Sequence, residues 1–137
     1  MIIIHHRINK ISELKNNLYS EVELDLRYSK SDIILHHDPF TSGEKFEDFL
    51  KVHSLRFLIL NIKSEGIEEE VLRLVKKYKV KDYFFLDTSI PFMVKYLKKE
   101  WTKFAVRFSE YEPIEMALKF KNKVDWVWVD CFHNLPL

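Results

Sequence analysis

The sequence predicts an α/β protein whose parallel sheet is covered by helices, as in an incomplete (β/α) barrel. Short runs rich in β-branched and aromatic residues alternate with stretches in which apolar residues recur at helical spacing. This alternation is typical of parallel strands joined by helices. Hydrophobic residues make up 47% of the 137 positions, so we expect a single domain over residues 1–137 with a sizeable core.

Seven short segments are predicted as strands, because β-favouring apolar residues recur in each. They are Ile2–His6, Val22–Arg27, Asp32–His37, Arg56–Lys63, Asp82–Asp87, Phe104–Ser109 and Asp125–Asp130. Four segments between them carry an apolar stripe and a Lys- and Glu-rich outer face, which predicts amphipathic helices. These are Glu44–His53, Ile67–Tyr78, Pro91–Trp101 and Pro113–Lys121.

Two places depart from this alternation. Only "YSKS" separates the strands within Val22–His37, which is too short for a crossover helix, so a hairpin or two bent segments is expected there. The chain also ends just after its last predicted strand, whereas a complete eight-unit barrel takes about 200 residues or more. We therefore expect a sheet truncated to about six strands, with an open edge that a second copy or another chain covers.

Composition excludes several classes of protein. Basic and acidic residues number 22 and 21, which argues against a general nucleic-acid binder. The single cysteine, Cys131, excludes an intrachain disulfide and a C-x-x-C metal site. No apolar run approaches the roughly 18 residues of a membrane span, and the N-terminus lacks the pattern of a signal peptide. These observations predict a cytoplasmic protein without a membrane span.

Each predicted strand carries an ionisable residue near its C-terminal end. These residues are His6, Asp25, His37, Lys63, Asp87, Arg107 and Asp130. The C-terminal ends of parallel strands meet at one edge of a sheet, so these side chains are expected to converge there. The alternative is an α/β domain without a site, in which strands end in polar residues because they reach solvent.

The pair Glu23 and Asp25 is the strongest candidate for a metal site. The two residues are two apart, so both point to one face of a strand, where their oxygens can bind Ca²⁺ or Mg²⁺ together. Their neighbours Val22, Leu24 and Leu26 predict a buried strand, and buried carboxylates are costly unless a cation or a shared proton compensates them. A solvated pair at a sheet edge is the alternative.

Histidines supply the candidate acid and base. Imidazole titrates near neutral pH, so His6 and His37 are suited to exchange protons with a substrate. Their neighbours His5 and His36 fall on the opposite strand faces and are interpreted as structural. Asp38 either orients a histidine or begins the turn that follows.

Three cations are candidate phosphate ligands: Arg7, Lys63 and Arg107. Arginine grips phosphate oxygens with a planar fork, and lysine offers a point charge. Other polar or aromatic residues near strand ends could shape a substrate pocket, although a core role is the simpler interpretation of Trp128. They are Asp87, Glu110, Glu112, Trp128 and Asp130.

Three motifs together resemble the opening of glycerophosphodiester phosphodiesterases. That family shows His-Arg after its first strand, Glu-x-Asp on its second and His-Asp further along. Here "IIIHHR", "ELD" and "ILHHDPF" supply His6-Arg7, Glu23-Leu24-Asp25 and His37-Asp38. "LILNIKSEG" is similar to the family's third-strand Glu-Ile-Lys, with Lys63 at the lysine. The later "YFFLDTSIP", "VRFSEYE" and "WVWVDCF" resemble a branch associated with bacterial cell-surface polysaccharide gene clusters.

The resemblance implies a TIM-barrel-like fold and hydrolysis of a glycerophosphodiester-like or sugar-phosphate diester. It implies a catalytic histidine pair and a divalent cation held by carboxylates. Asn61 stands where the family has a metal-binding glutamate, so the cation is expected on Glu23, Asp25 and Asn61 with weaker affinity. Ile8 replaces the glycine that follows His-Arg. The alternative is a truncated barrel without activity that serves as a binding or structural subunit.

Overall fold

The computed structural model describes residues 1–16, 20–52 and 57–133. Contacts within the chain divide it into two compact units, Met1–Tyr83 and Phe84–Leu137. The division falls inside the fifth strand, and the units are described separately below.

The first unit contains three helices, four complete strands and the start of a fifth within the part that the structure describes. In chain order they are α1 (Ile11–Asn16), β1 (Glu21–Ser29), β2 (Asp32–Leu35), β3 (Glu44–Lys45), α2 (Phe46–Val52), β4 (Phe57–Ile62), α3 (Glu68–Lys77) and β5 (Asp82–Leu86). The elements of the second unit after β5 are α4 (Ile90–Leu97), β6 (Ala105–Phe108), α5 (Ile114–Lys119) and β7 (Trp126–Val129).

The strands form two sheets. A five-stranded sheet has the order β3-β2-β1-β4-β5, and a two-stranded sheet contains β6 and β7. β1 runs parallel to β4 but antiparallel to β2, which is in turn antiparallel to β3. β6 and β7 are parallel.

The predicted parallel, TIM-barrel-like sheet of about six strands is therefore wrong. The larger sheet is mixed, and β6 and β7 form a small sheet of their own among the described residues. The physical reason lies in the connections between β1 and β3. They are too short to hold a crossover helix, so β2 and β3 can only add as antiparallel neighbours.

The hairpin within Val22–His37 is confirmed. Ser29 pairs with Asp32, so only Lys30 and Ser31 form the loop. Both have positive φ, 48° and 71°, as a type I′ turn requires. This turn matches the right-handed twist of the strands, although neither residue favours the left-handed conformation.

The predicted first strand, Ile2–His6, is wrong. Only His5 bridges β1, through hydrogen bonds from its N–H to Glu21 O (3.0 Å) and from Glu23 N–H to its carbonyl (2.8 Å). Ile2 and Ile3 are about 60% exposed, so the segment lacks the burial that would hold a longer strand in place.

All four predicted helices are confirmed with shorter bounds, as α2, α3, α4 and α5. His53 and Arg56, at the ends of a predicted helix and strand, lie outside the described residues. The sequence interpretation missed α1 and β3, which are six and two residues long. The Glu13 carboxylate stabilises the start of α1, because it accepts hydrogen bonds from the backbone N–H groups of Asn9 and Lys10 at 3.1 and 3.0 Å, as in a capping box.

The core of the first unit is built on β1 and β4. Val22, Leu24 and Leu26 alternate along β1 and are fully buried, and every residue of β4 is buried. Both faces of these strands are therefore shielded from water, and that includes the face carrying Glu23 and Asp25. In the part of the chain that the structure describes, no helix has the length and apolar character to cross a bilayer.

Candidate functional site

The candidate site is built on one face of the paired strands β1 and β4. Their parallel register sets Asp25 beside Asn61 and Glu23 beside Ile59, so the two acids and the amide share a face. Glu23 is 1% exposed, Asp25 0% and Asn61 4%. The sequence interpretation expected this buried carboxylate pair. Two buried negative charges need nearby hydrogen-bond donors or positive charges.

Glu23 is held by three groups from two segments, the adjacent residues His6 and Arg7 and Asn61 on β4. Its Oε2 accepts the Arg7 backbone N–H at 2.7 Å and lies 3.5 Å from His6 Nε2. Its Oε1 accepts Asn61 Nδ2 at 2.8 Å. Arg7 presents its N–H from a left-handed backbone conformation, with φ of 58°, which is uncommon for a residue with a Cβ. A backbone in this conformation at a cluster of buried charge is a feature of functional sites.

Asp25 is held mainly by a residue that the sequence interpretation missed. Asn9 donates from Nδ2 to Asp25 Oδ2 at 2.8 Å and accepts the Asp25 backbone N–H on Oδ1 at 2.9 Å. Lys63 Nζ lies 3.7 Å from Asp25 Oδ1 and forms an ion pair with it. Lys63, predicted as a phosphate ligand, thus also offsets the charge of a predicted metal ligand.

His37 lies between a cation and an acid. Arg7 Nη2 is 3.1 Å from His37 Nε2, and His37 Nδ1 is 2.8 Å from Asp38 Oδ1. A guanidinium can only donate, so Nε2 must accept and the proton must reside on Nδ1, which donates to Asp38. The geometry therefore selects the neutral Nδ1–H tautomer of His37.

Asp38 both orients His37 and takes part in the turn. The hydrogen bond from His37 holds the pKa of the Asp38 carboxyl below its ordinary value of 3.8. The Asp38 carbonyl accepts the Thr41 hydroxyl at 3.2 Å, and its N–H donates to His36 Nδ1 at 2.9 Å. His36 therefore supports the main chain of this turn.

Arg27 ties together the ends of two strands that carry site residues. Its Nε and Nη2 donate to the His37 carbonyl at 3.0 and 2.6 Å, and its Nη1 donates to the Lys63 carbonyl at 2.9 Å. A planar guanidinium can make these bonds together. These hydrogen bonds are accepted by backbone carbonyls, which every residue has, so no sequence motif predicts them.

A cavity of about 510 Å³ opens beside His37 in the first unit. It is lined by Arg7, Asn9, Lys10, Glu13, Leu35, His36, His37, Ser42, Gly43 and Glu44. Its volume falls within the range of small-molecule sites. Glu13 and Glu44 use their carboxylates on backbone N–H groups at the start of α1, which offsets part of their charge. The cationic side chains Arg7 and Lys10 remain at the cavity wall.

The donor set on β1 and β4 fits a hard divalent cation. Asp25 Oδ1 and Asn61 Oδ1 are buried oxygens without a hydrogen-bond partner in the structure, and Glu23 lies beside them. Carboxylate and amide oxygens are the ligands that Ca²⁺ and Mg²⁺ prefer. The described residues hold no cluster of three or more His, Cys, Asp or Glu arranged for a metal, so such a site would depend on the Asn61 oxygen.

Arg107, the third predicted phosphate ligand, lies in the second unit. It donates to Asp87 at 2.8 Å, pairs with Asp130 and lies 4.0 Å from Glu112. Burial acts to lower the pKa of its guanidinium, but the bonds to Asp87 and Asp130 outweigh it and raise the pKa. These acids, considered above as pocket residues, already offset the charge of Arg107.

Two further residues considered for the pocket also lie in the second unit. Glu110 accepts the backbone N–H groups of Phe132 and His133 at 3.1 and 3.2 Å. Trp128 is half-buried on β7, with its indole N–H lacking a hydrogen-bond partner in the structure.

No protein-family model matches the chain, and no curated protein matches it. The functional argument therefore rests on the residues of the site.

Proposed function

We propose that the first unit binds a phosphodiester and hydrolyses it with the help of a divalent cation. One observation carries the proposal: Arg7 links the buried Glu23, which lies beside His6, to His37. Its backbone N–H bonds Glu23, which lies 3.5 Å from His6, and its guanidinium bonds His37. A group that binds Arg7 would therefore lie beside His37 and close to Glu23, two of the residues that the resemblance to glycerophosphodiester phosphodiesterases implicates.

The charge around the cavity supports an anionic substrate. Arg7 and Lys10 line it, and a guanidinium binds two phosphate oxygens at once. Lys63 adds a further positive charge next to Asp25. A glycerophosphodiester-like or sugar-phosphate diester is the proposed substrate class.

The cation would be held by Glu23, Asp25 and the Asn61 oxygen, with Ca²⁺ or Mg²⁺ as the candidates. When bound, it supplies positive charge that polarises the phosphoryl group. Asn61 contributes one negative charge fewer than a glutamate, so the proposed affinity is weak.

His37 is the proposed general base. Its lone pair is on Nε2, where it accepts from Arg7, and its Nδ1–H is fixed by Asp38. A bound phosphate draws the Arg7 guanidinium toward itself and exposes this lone pair. His37 Nε2 then takes the proton of the attacking oxygen, from water or from a neighbouring substrate hydroxyl, and Asp38 stabilises the resulting imidazolium.

His6 is the proposed general acid. As the new phosphorus–oxygen bond forms, the bond to the leaving alcohol breaks, and protonated His6 gives that oxygen its proton. His6 Nε2 lies 3.5 Å from the Oε2 of the buried Glu23 carboxylate, which can fix the orientation of the imidazole.

The experiment measures the hydrolysis of bis(p-nitrophenyl) phosphate in the presence of Mg²⁺ or Ca²⁺. It compares kcat of the variants His6→Ala, His37→Ala and Arg7→Ala with that of the matched control His5→Ala. We expect each of the first two variants to lose at least about 100-fold in kcat, because acid–base groups contribute about that much. Wild-type turnover in both histidine variants would refute the assignment.

A non-catalytic binding role is the second candidate, and Asn61 favours it. Its amide donates to Glu23, and Asn9 and Lys63 contact Asp25, so both acids are partly satisfied by the protein itself. This role predicts that calorimetry detects binding of a glycerophosphodiester while no product forms over hours with either cation.

The remaining proposals concern context. The single cysteine fits a reducing compartment, so we propose a cytoplasmic location. The near balance of charges favours a small substrate over nucleic acid.

A further inference from the structure

We propose that a second copy of this chain pairs with β7 along its open edge, antiparallel and about a two-fold axis at Trp128. The proposal concerns the second unit alone and is independent of the proposed function.

The hydrogen bonds of β7 show which of its groups face the open edge. Trp126 N–H donates to Phe104 O at 3.2 Å, and Asp130 N–H donates to Phe108 O at 2.9 Å. Peptide groups alternate in direction along a strand, so the N–H and C=O groups of Val127 and Val129 point away from β6. Among the described residues no strand pairs with that side of β7.

The side chains of β7 make this edge unusual. Trp126, Val127 and Val129 are 41%, 51% and 58% exposed, and Phe132 just after the strand is 56% exposed. The strand has the sequence "WVWV", with no charge, proline or bulge. Natural proteins protect an edge strand with such features or cover it, because an apolar edge pairs with other strands.

A second copy fits this edge by its own symmetry. A two-fold axis at Trp128 sets Val127 opposite Val129 of the partner subunit, so the outward peptide groups of both valines meet in hydrogen-bonded pairs. Trp128 then lies opposite its own copy in a non-hydrogen-bonded pair, where side chains approach most closely. No like charges oppose each other, because the strand carries none.

Pairing would also enlarge a small sheet. Among the described residues β6 and β7 form a two-stranded sheet, which Phe104 bridges to Phe85 of β5, and two copies together would join four such strands. With half-exposed side chains on each copy, the pair would cover on the order of several hundred Å² in total, below the roughly 1,000 Å² of a stable interface, so we expect a weak, concentration-dependent dimer.

The first test uses the wild-type chain. Sedimentation equilibrium should give a monomer–dimer equilibrium, and hydrogen exchange should be followed across the same concentrations. In the dimer we expect the amide protons of Val127 and Val129 to exchange at least tenfold more slowly than in the monomer. A monomer at all concentrations, open-ended assemblies, or a dimer with unprotected Val127 and Val129 would each overturn the proposal.

The second test uses substitutions at the edge. Val127→Lys and Val129→Lys should each raise the dimer dissociation constant at least tenfold, because a lysine would be buried beside the partner strand. Val94→Lys, at an apolar position on α4 that is 42% exposed, is the control and should leave dissociation unchanged. Circular dichroism confirms that each variant is folded. Equal dimerisation of the edge variants and the wild type would contradict the proposed pairing.

Discussion

At the scale of single residues, Asn61 determines how much charge the buried site holds. It lies beside Glu23 and Asp25, and its amide already donates to Glu23. Its other atom, Oδ1, is buried without a hydrogen-bond partner in the structure. An amide here satisfies one acid and leaves one oxygen available, whereas a carboxylate would add a third negative charge.

Asn61→Asp should therefore strengthen cation binding and weaken the protein without a cation. We expect affinity for Ca²⁺ or Mg²⁺ to rise at least about tenfold, or roughly 1.4 kcal/mol, and the melting temperature in EDTA to fall. Calorimetry and thermal melts measure the two effects. Asn122→Asp, at an exposed position, is the control. Unchanged cation affinity would remove Asn61 from the proposed ligand set.

Asp38 gives a prediction about pH. The hydrogen bond from His37 lowers the pKa of Asp38 in the folded protein below 3.8, so its contribution to stability is present above that value. That contribution is lost as the pH falls through the folded-state pKa. An NMR titration should find the Asp38 carboxyl titrating at lower pH in the wild type than in His37→Ala. Coinciding curves would show that the hydrogen bond does not form.

At the scale of elements, the hairpin between β1 and β2 is built with an unfavourable turn sequence. Lys30 and Ser31 both adopt positive φ, where Asn-Gly is preferred. The double variant Lys30→Asn, Ser31→Gly should raise the free energy of unfolding by about 0.5–1 kcal/mol. Chemical denaturation measures it, with Ser42→Gly as a control outside the turn. A loss of stability would contradict the turn assignment.

Arg27 connects two elements, because it donates to the His37 carbonyl after β2 and the Lys63 carbonyl after β4. Arg27→Gln removes most of these bonds to partly buried carbonyls, so it should cost about 1–3 kcal/mol of unfolding free energy. Arg73→Gln, which breaks an exposed ion pair with Glu70, is the matched control and should cost under about 1 kcal/mol. Equal costs would show that Arg27 is not a structural tie.

At the scale of the whole molecule, sequence patterns predicted local features better than strand pairing. The hairpin and the shared face of Glu23 and Asp25 follow from chain distances of a few residues. The pairing of β1 with β4, and the separation of β6 and β7 into a sheet of their own, depend on contacts between distant segments, which periodicity does not encode. Asn9 and Arg27 were missed because their bonds depend on where other segments pass, and neither belongs to a recurring motif.

Cation binding should stabilise the molecule as a whole, because a ligand that binds only the folded state adds to its stability. At 100 times the dissociation constant the gain is about 2.7 kcal/mol, and the melting temperature should rise accordingly. Asp25→Asn should abolish the rise. If Mg²⁺ and Ca²⁺ up to millimolar concentrations leave the wild-type melting temperature unchanged, the proposed cation site is wrong.

The left-handed backbone of Arg7 separates two roles that one residue usually combines. Its amide bonds Glu23 whatever the side chain, and its guanidinium alone reaches His37. Glycine adopts this conformation without steric strain. Arg7→Gly would thus keep the backbone hydrogen bond to Glu23 and remove the side-chain hydrogen bond to His37. The positive charge at this position could therefore be lost or regained while the backbone conformation of the loop stays the same.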